Sequence, residues 1–153
     1  MPATDFEPSS GFAAVADAGS EPRESRPLVL VVDDERDVLD ALEAALLAQG
    51  WRVVTALNGG DALEKALHLR PELVLTDLLM PVIDGIGLAK SLRADPRTAS
   101  TCIVLCSGVS EASVRGLFDG YDAFLHKPYD VDDLRRAVGV LRPAAAVVVA
   151  AAS

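Results

Sequence analysis

The sequence predicts an α/β fold: a doubly wound, five-stranded parallel sheet with helices on both faces. Three observations predict it. Five short apolar runs alternate with five stretches of helical periodicity between Leu28 and Leu141. The connections between them are short, as neighbouring elements of a compact sheet require. The runs are continuously apolar, the pattern of strands covered on both faces.

Taken in order, Leu28-Val29-Leu30-Val31-Val32 reads as a buried strand ending in Asp33-Asp34. From about Glu35 to Gln49, Val38, Leu39, Leu42 and Leu46 recur at helical spacing, and Gly50 stops that helix. Trp51 to Ala56 is the second strand, and Gly60 to Leu69 the second helix, closed by Pro71. Leu73 to Thr76 is the third strand, ending in Asp77, and Gly85 to Arg93 the third helix. Ile103 to Cys106 is the fourth strand, ending in Ser107-Gly108, followed by a short helix from Glu111 to Phe118. Asp122 to Leu125 is the fifth strand, ending at Lys127-Pro128, and Val131 to Leu141 the last helix.

Parallel sheets of this kind gather function at the carboxyl ends of the strands, where strand order reverses. The first, third, fourth and fifth strands end in Asp33-Asp34, Asp77, Ser107 and Lys127, whereas the second ends in Thr55-Ala56. In the flavodoxin-like order 2-1-3-4-5 the second strand is the outer edge, farthest from the crevice. The polar groups thus fall where the topology concentrates chemistry. Three carboxylates brought together repel unless a cation joins them. Oxygen ligands favour a hard divalent ion, and Mg²⁺ suits two or three carboxylates with waters retained. A carboxylate can itself accept a phosphoryl group. Its charge then needs a cation and a hydrogen-bond donor, which Lys127 and Ser107 provide.

These residues resemble the receiver domain of response regulators. Val31-Val32-Asp33-Asp34-Glu35 is similar to its acidic pair, and Asp77-Leu78-Leu79-Met80-Pro81-Val82-Ile83-Asp84-Gly85 to its phosphoacceptor strand end and Met-Pro-x-x-Asp-Gly loop. Cys106-Ser107-Gly108 matches the switch hydroxyl, and Phe124-Leu125-His126-Lys127-Pro128 the aromatic-x-x-Lys-Pro ending. The resemblance covers about residues 27–142 and is that of a chemotaxis-type, single-domain regulator.

The resemblance implies a two-component regulator rather than a conventional enzyme. Asp77 would take a phosphoryl group from a sensor histidine kinase or histidine phosphotransfer protein. Mg²⁺ would be held by Asp34, by Asp77, by the backbone carbonyl of Leu79, and by Asp33 largely through water. Lys127 would pair with a phosphoryl oxygen and Ser107 would bond another. Phe124 would be the rotating aromatic of the switch, and the Lys127-Pro128 bond would be cis. Output would be a target protein docking on the face of the fourth helix, fifth strand and fifth helix. Polar residues two positions after the acceptor and the switch hydroxyl help place an attacking water in the family. Here these are Leu79 and Val109, which implies slow self-dephosphorylation. A second departure is Tyr121, where the family often has a small residue.

Other readings compete. Asp34 can cap the first helix, with Glu35 favouring its dipole, and Ser107-Gly108 can be a plain turn. Lys127 can be a solvated loop lysine, and Phe124 an ordinary core aromatic. At the level of function the alternatives are a haloacid-dehalogenase-type phosphatase, a flavodoxin-like electron carrier, a receiver-fold scaffold independent of phosphorylation, and a phosphorelay intermediary. The adjacent acids lack the one-residue spacing of the first, and acids after the first strand would repel the phosphate of a flavin.

Composition sets the remaining bounds. The chain has 153 residues, half of them apolar, and a net charge of −9, so nucleic-acid backbones and anionic membrane surfaces are poor partners. Residues 1–27, rich in Pro, Ser, Ala and acid, read as a disordered arm; 28–142 form the domain, and 143–153 an Ala/Val-rich tail. The apolar run Ala144–Ala152 is shorter than the roughly 20 residues of a membrane span. Only 26 residues follow Lys127, which leads to the expectation of a receiver without a DNA-binding output domain. Cys102 and Cys106, four residues apart on one strand, would sit about 13 Å apart, beyond disulfide reach. They read as buried free thiols of a cytoplasmic protein.

Overall fold

The computed structural model describes residues 25–140. Nearly all of the expected arm and the whole expected tail therefore lie outside the described residues. The elements are β1 (Leu28–Val32), α1 (Arg36–Ala48), β2 (Arg52–Ala56), α2 (Gly59–Leu69) and β3 (Leu73–Asp77), followed by α3 (Gly85–Ala94), β4 (Cys102–Ser107), α4 (Glu111–Leu117), β5 (Ala123–His126) and α5 (Val131–Val140). All pairings are parallel, in the order β2-β1-β3-β4-β5. The order reverses between β1 and β3, so their carboxyl ends flank one crevice.

Alternate strand residues face opposite sides of the sheet, and each side has its own core. Val29, Val31, Leu73, Leu75 and Val104 pack with Leu39, Leu42 and Leu46 of α1 and with Leu134 and Val138 of α5. Leu30, Val32, Val74, Ile103 and Leu105 pack with Ala62 and Ala66 of α2, Leu88 and Leu92 of α3, and Val114 of α4. Continuous apolar strands are the consequence of burying both faces.

The helix ends follow local chemistry. At the end of α1, Gly50 sits at φ 94°, its N–H donates to the Leu47 carbonyl, and the Trp51 N–H donates to that of Leu46. That turn uses up the Trp51 amide, so β2 starts one residue later than the apolar run suggests, with Trp51 fully buried. Asn58, Asp84 and Ser110 cap α2, α3 and α4 by accepting the Asp61, Gly87 and Ser113 amides. Asp130 and Asp133 cap α5 reciprocally, each carboxylate accepting the other's backbone N–H.

Arg93, at the end of α3, ties the opposite end of the sheet. Its guanidinium donates to the carbonyls of Gly120, Ala99 and Thr101 and pairs with Asp122 at 2.8 Å. The same Asp122 oxygen accepts the Ile103 amide, so β5 begins at Ala123 and extends through His126. Among the described residues, no helix is long and apolar enough to cross a membrane.

Candidate functional site at the strand ends

β1 and β3 run side by side in register, Val32 opposite Thr76, and this places their terminal acids together. One ligand oxygen each from Asp33, Asp34 and Asp77 lies within 4.8 Å of the others. Asp33 is buried, Asp77 half-buried and Asp34 exposed. Burial, opposed by a hydrogen bond from the Glu35 amide at 2.9 Å, holds the Asp33 carboxyl above its usual range, and the neighbouring Asp77 and Asp34 charges add to the rise. The capping alternative falls on neither acid: Glu35 is the N-cap residue of α1, no side chain caps that helix, and among the described residues the Asp33 carboxylate accepts only the Glu35 amide, in a local turn.

Asp77 Oδ1 accepts two donors, the Lys127 ammonium at 3.0 Å and the Leu78 amide at 3.0 Å. Burial lowers the Lys127 pKa, but the Asp77 bond and charge, with Asp33 behind, leave it above its ordinary value. The lysine is placed by the sheet: its own amide donates to the Ser107 carbonyl at 2.8 Å, and the Lys127-Pro128 peptide is cis. Ser107, 2% exposed, points its Oγ into the turn, where it accepts the Val109 amide at 3.0 Å.

The loop after β3 is built closely. The Gly85 amide donates to the Leu78 carbonyl at 2.7 Å, and a Cβ on Gly85 would lie 2.5 Å from the Asp77 carbonyl oxygen. Val82, 87% exposed, sits at φ 74°, a left-handed conformation that β-branched residues rarely adopt. Leu79 projects into solvent at the mouth of the site, and Val109 stands exposed on the β4–α4 side. Apolar side chains thus stand two positions after Asp77 and two positions after Ser107.

A family model described as "Response regulator receiver domain" matches residues 29–139. The chain belongs to that family. Among curated relatives, the transcriptional regulatory protein PrrA of Mycobacterium leprae is 38% identical over 117 residues, 76% of this chain and 50% of that protein. PrrA of Mycobacterium tuberculosis is 38% identical over 115 residues, 75% of this chain and 49% of that one. The chain therefore spans about half the length of the curated relatives it matches. Among solved structures, chemotaxis protein CheY4 of Vibrio cholerae superposes with a TM-score of 0.71 at 27% identity, over 76% of this chain and 99% of that one. The receiver domain of sensor histidine kinase PA1611 from Pseudomonas aeruginosa, with a magnesium ion coordinated in its active-site cleft, superposes with a TM-score of 0.67 at 26% identity, over 75% of this chain and 99% of that one.

In this receiver domain of a two-component system, the acidic pocket of Asp33, Asp34 and Asp77 fits phosphorylation and a divalent metal ion. Three carboxylates with a lysine already on one of them form a hard, oxygen-only donor set. Phe124 is half-buried on the α2–α4 side of the sheet, its ring 6.0 Å from that of Tyr121. His126 is exposed and His68 bonds the Glu64 carbonyl of its own helix, and among the described residues the metal-competent cluster includes neither.

The cysteines divide. Cys106 is buried behind the site and burial pushes its thiol up to about 12, which makes it unreactive. Cys102, at the strand's edge-proximal start, is only partly buried, a correction to the expectation that both are buried. Two contacts of consequence escaped the sequence reading, although Tyr121 itself stood out as a departure. Tyr121 reaches Glu111, ten residues away on another element, and Gly59 lets α2 approach the Ile83 backbone, where a Cβ would lie 2.4 Å from the carbonyl oxygen. No local pattern signals either contact.

Proposed function

We propose that this receiver accepts a phosphoryl group on Asp77 from the phosphohistidine of a sensor kinase or histidine phosphotransfer protein. The observation that carries the reading is the meeting of three carboxylates within 4.8 Å with Lys127 3.0 Å from the acceptor. Because both donors bond Oδ1, Oδ2 of Asp77 has no donor among the described residues and is the oxygen disposed for attack. The oxygen attacks phosphorus, the P–N bond breaks as the P–O bond forms, and the freed imidazole keeps the electron pair and takes a proton. Lys127 is then released from the carboxylate to bond a phosphoryl oxygen, and Ser107 bonds another.

Asp33, Asp34, Asp77 and the Leu79 carbonyl would hold Mg²⁺, which when bound neutralises charge on the phosphoryl oxygens. Supporting this, a solved relative carries magnesium in its own cleft. Asp34→Ala is expected to abolish Mg²⁺ binding, read by NMR titration; equal binding in both proteins would refute the ligand set.

Phosphoryl acceptance is self-catalysed, so the protein is a switch, not a turnover enzyme. It signals in the cytoplasm through a target protein docking on the α4–β5–α5 face, without contacting nucleic acid or membrane through the receiver itself. Acceptance of phosphate from acetyl phosphate tests the reading. The wild type should gain one acyl phosphate, released by hydroxylamine, and Asp77→Asn none. Equal labelling of the variant would remove Asp77 from the role, and no labelling of either would favour a phosphorylation-independent scaffold.

The acyl phosphate should also persist. Leu79 is 66% exposed beside the acceptor and cannot hold a water in line. Leu79→Asn should speed decay, by less than the roughly 10²-fold that a fully placed general base supplies. A decay rate unchanged or slower in Leu79→Asn would show that this position does not set the lifetime.

A further inference from the structure

We propose that Tyr121 is a positioning residue of the switch, a latch that holds α4 in the unphosphorylated arrangement and links its position to Phe124. This rests on the phosphoacceptor reading only for its link to Asp77; the latch itself stands on contacts within the domain.

Tyr121 lies just before β5 and is only 9% exposed, yet its hydroxyl reaches the first residue of α4, donating to Glu111 Oε2 at 3.1 Å. The same oxygen is paired with Arg115, one turn along the helix. The Arg115 guanidinium in turn lies over the Tyr121 ring, 5.2 Å from its centroid. The three side chains close a ring of contacts: hydroxyl to carboxylate, carboxylate to guanidinium, guanidinium to aromatic face. Arg115 favours the carboxylate it pairs with and the π face it covers.

The Tyr121 ring is also the middle member of an aromatic row. Phe118, the C-cap residue of α4, is 6.5 Å away on one side and Phe124 of β5 is 6.0 Å away on the other. One side chain thus touches both ends of α4 and the proposed switch aromatic. α4 is otherwise lightly held. It has seven residues, buries only Val114, and leaves Leu117 73% exposed. A helix with so little buried surface depends on such side contacts for its position.

Two consequences follow for switching. Any displacement of α4 relative to β5 must break the Tyr121–Glu111 bond. Any inward rotation of Phe124 removes the ring that Tyr121 packs against. Both costs fall on the activated arrangement alone, so they bias the equilibrium toward the state described here. A small residue at position 121 could carry neither contact.

Tyr121→Phe keeps the aromatic row and removes the hydroxyl, and Glu111→Gln keeps an acceptor while removing the charge that holds Arg115. Hydrogen exchange in the unmodified full chain tests the latch. Amides of Val114 to Leu117 should exchange roughly two- to tenfold faster in Tyr121→Phe, the effect of losing one hydrogen bond of ordinary net strength to a carboxylate that is partly exposed and already paired with Arg115. Unchanged exchange overturns the latch, whatever Asp77 does. Beryllofluoride affinity in Mg²⁺ then tests the link to the switch: it should tighten by a similar factor in Tyr121→Phe, because less of the binding free energy is spent on releasing α4. Glu111→Gln should fall between. A merely structural tyrosine would lower thermal stability while leaving beryllofluoride affinity unchanged or weaker, and that result overturns the positioning role. If the wild type binds no beryllofluoride, the phosphoacceptor reading fails instead, and the exchange result still decides the latch.

Discussion

Gly85→Ala is expected to damage stability and phosphoryl acceptance together. The new Cβ would stand 2.5 Å from the Asp77 carbonyl oxygen and 2.9 Å from the Leu78 Cα. Both are backbone atoms, so no flexible side chain can swing aside to make room. Relief requires moving the start of α3 away from the end of β3, which also stretches the Gly85 amide bond to the Leu78 carbonyl. Overpacking of this kind typically costs about 1–3 kcal/mol. The same movement displaces Asp77 relative to Lys127 and the β1 acids, and a misplacement of about 1 Å can cost roughly 10²-fold in rate. The melting temperature should therefore fall and labelling by acetyl phosphate should slow markedly. Gly116→Ala is the control: nothing lies within 4 Å of its Cβ, and on an exposed helix alanine is favoured by about 1 kcal/mol. Wild-type melting and labelling in Gly85→Ala would show that the loop yields at no cost.

This glycine illustrates how far the sequence alone could be read. The residue pattern Met80-Pro81-Val82-Ile83-Asp84-Gly85 marks a loop and a capped helix start. That the glycine is needed for approach to the Asp77 backbone becomes visible only when β3 and α3 are folded together. The strand ends were legible because the continuous apolar runs, the parallel order and the positions of Asp33, Asp34, Asp77, Ser107 and Lys127 all follow from period and topology. Boundaries were less so. Trp51 belongs to the apolar run but its amide is consumed by the turn after α1, and Asp122 lies ahead of β5 because its carboxylate serves Arg93 and Ile103. Tyr121 looked only like a misfit for a position where small residues are usual. Its partners, Glu111 and Arg115, lie on a neighbouring helix, and no periodicity within either element connects them.

The electrostatics of the site also emerge only in three dimensions. Asp33 is 3% exposed, yet it sits among like charges with one backbone donor and the Lys127 ammonium to offset them. An arrangement so costly to desolvate persists when a cation or a transferring group uses it. Lys127 meanwhile divides its attraction between Asp77 and Asp33, which would let it follow charge from the carboxylate to a phosphoryl group in the proposed transfer.

Ser107→Ala should separate acceptance from transmission. The hydroxyl is 2% exposed and accepts the Val109 amide at 3.0 Å, so in the unphosphorylated protein it is a turn residue rather than a free donor. An incoming phosphoryl oxygen offers its proton a charged acceptor, and Ser107 is the hydroxyl at the end of the strand beside Asp77. In the proposed switch, moving toward that acceptor would draw the β4–α4 turn with it and vacate space for Phe124. A ligand shifts such an equilibrium only by its different affinity for the two states, and in that switch this hydroxyl would supply the difference. In Ser107→Ala the nucleophile is untouched, and water can reach the Val109 amide on its exposed residue, so the stability loss should stay near 1 kcal/mol. Asp77 should still label with acetyl phosphate. The beryllofluoride-induced NMR shifts across residues 110–140, expected to be large in the wild type, should shrink to those of the acid site alone. If Ser107→Ala gives the full wild-type pattern, the signal reaches α4 and β5 by a path that bypasses this hydroxyl, and the proposed role of Ser107 is wrong.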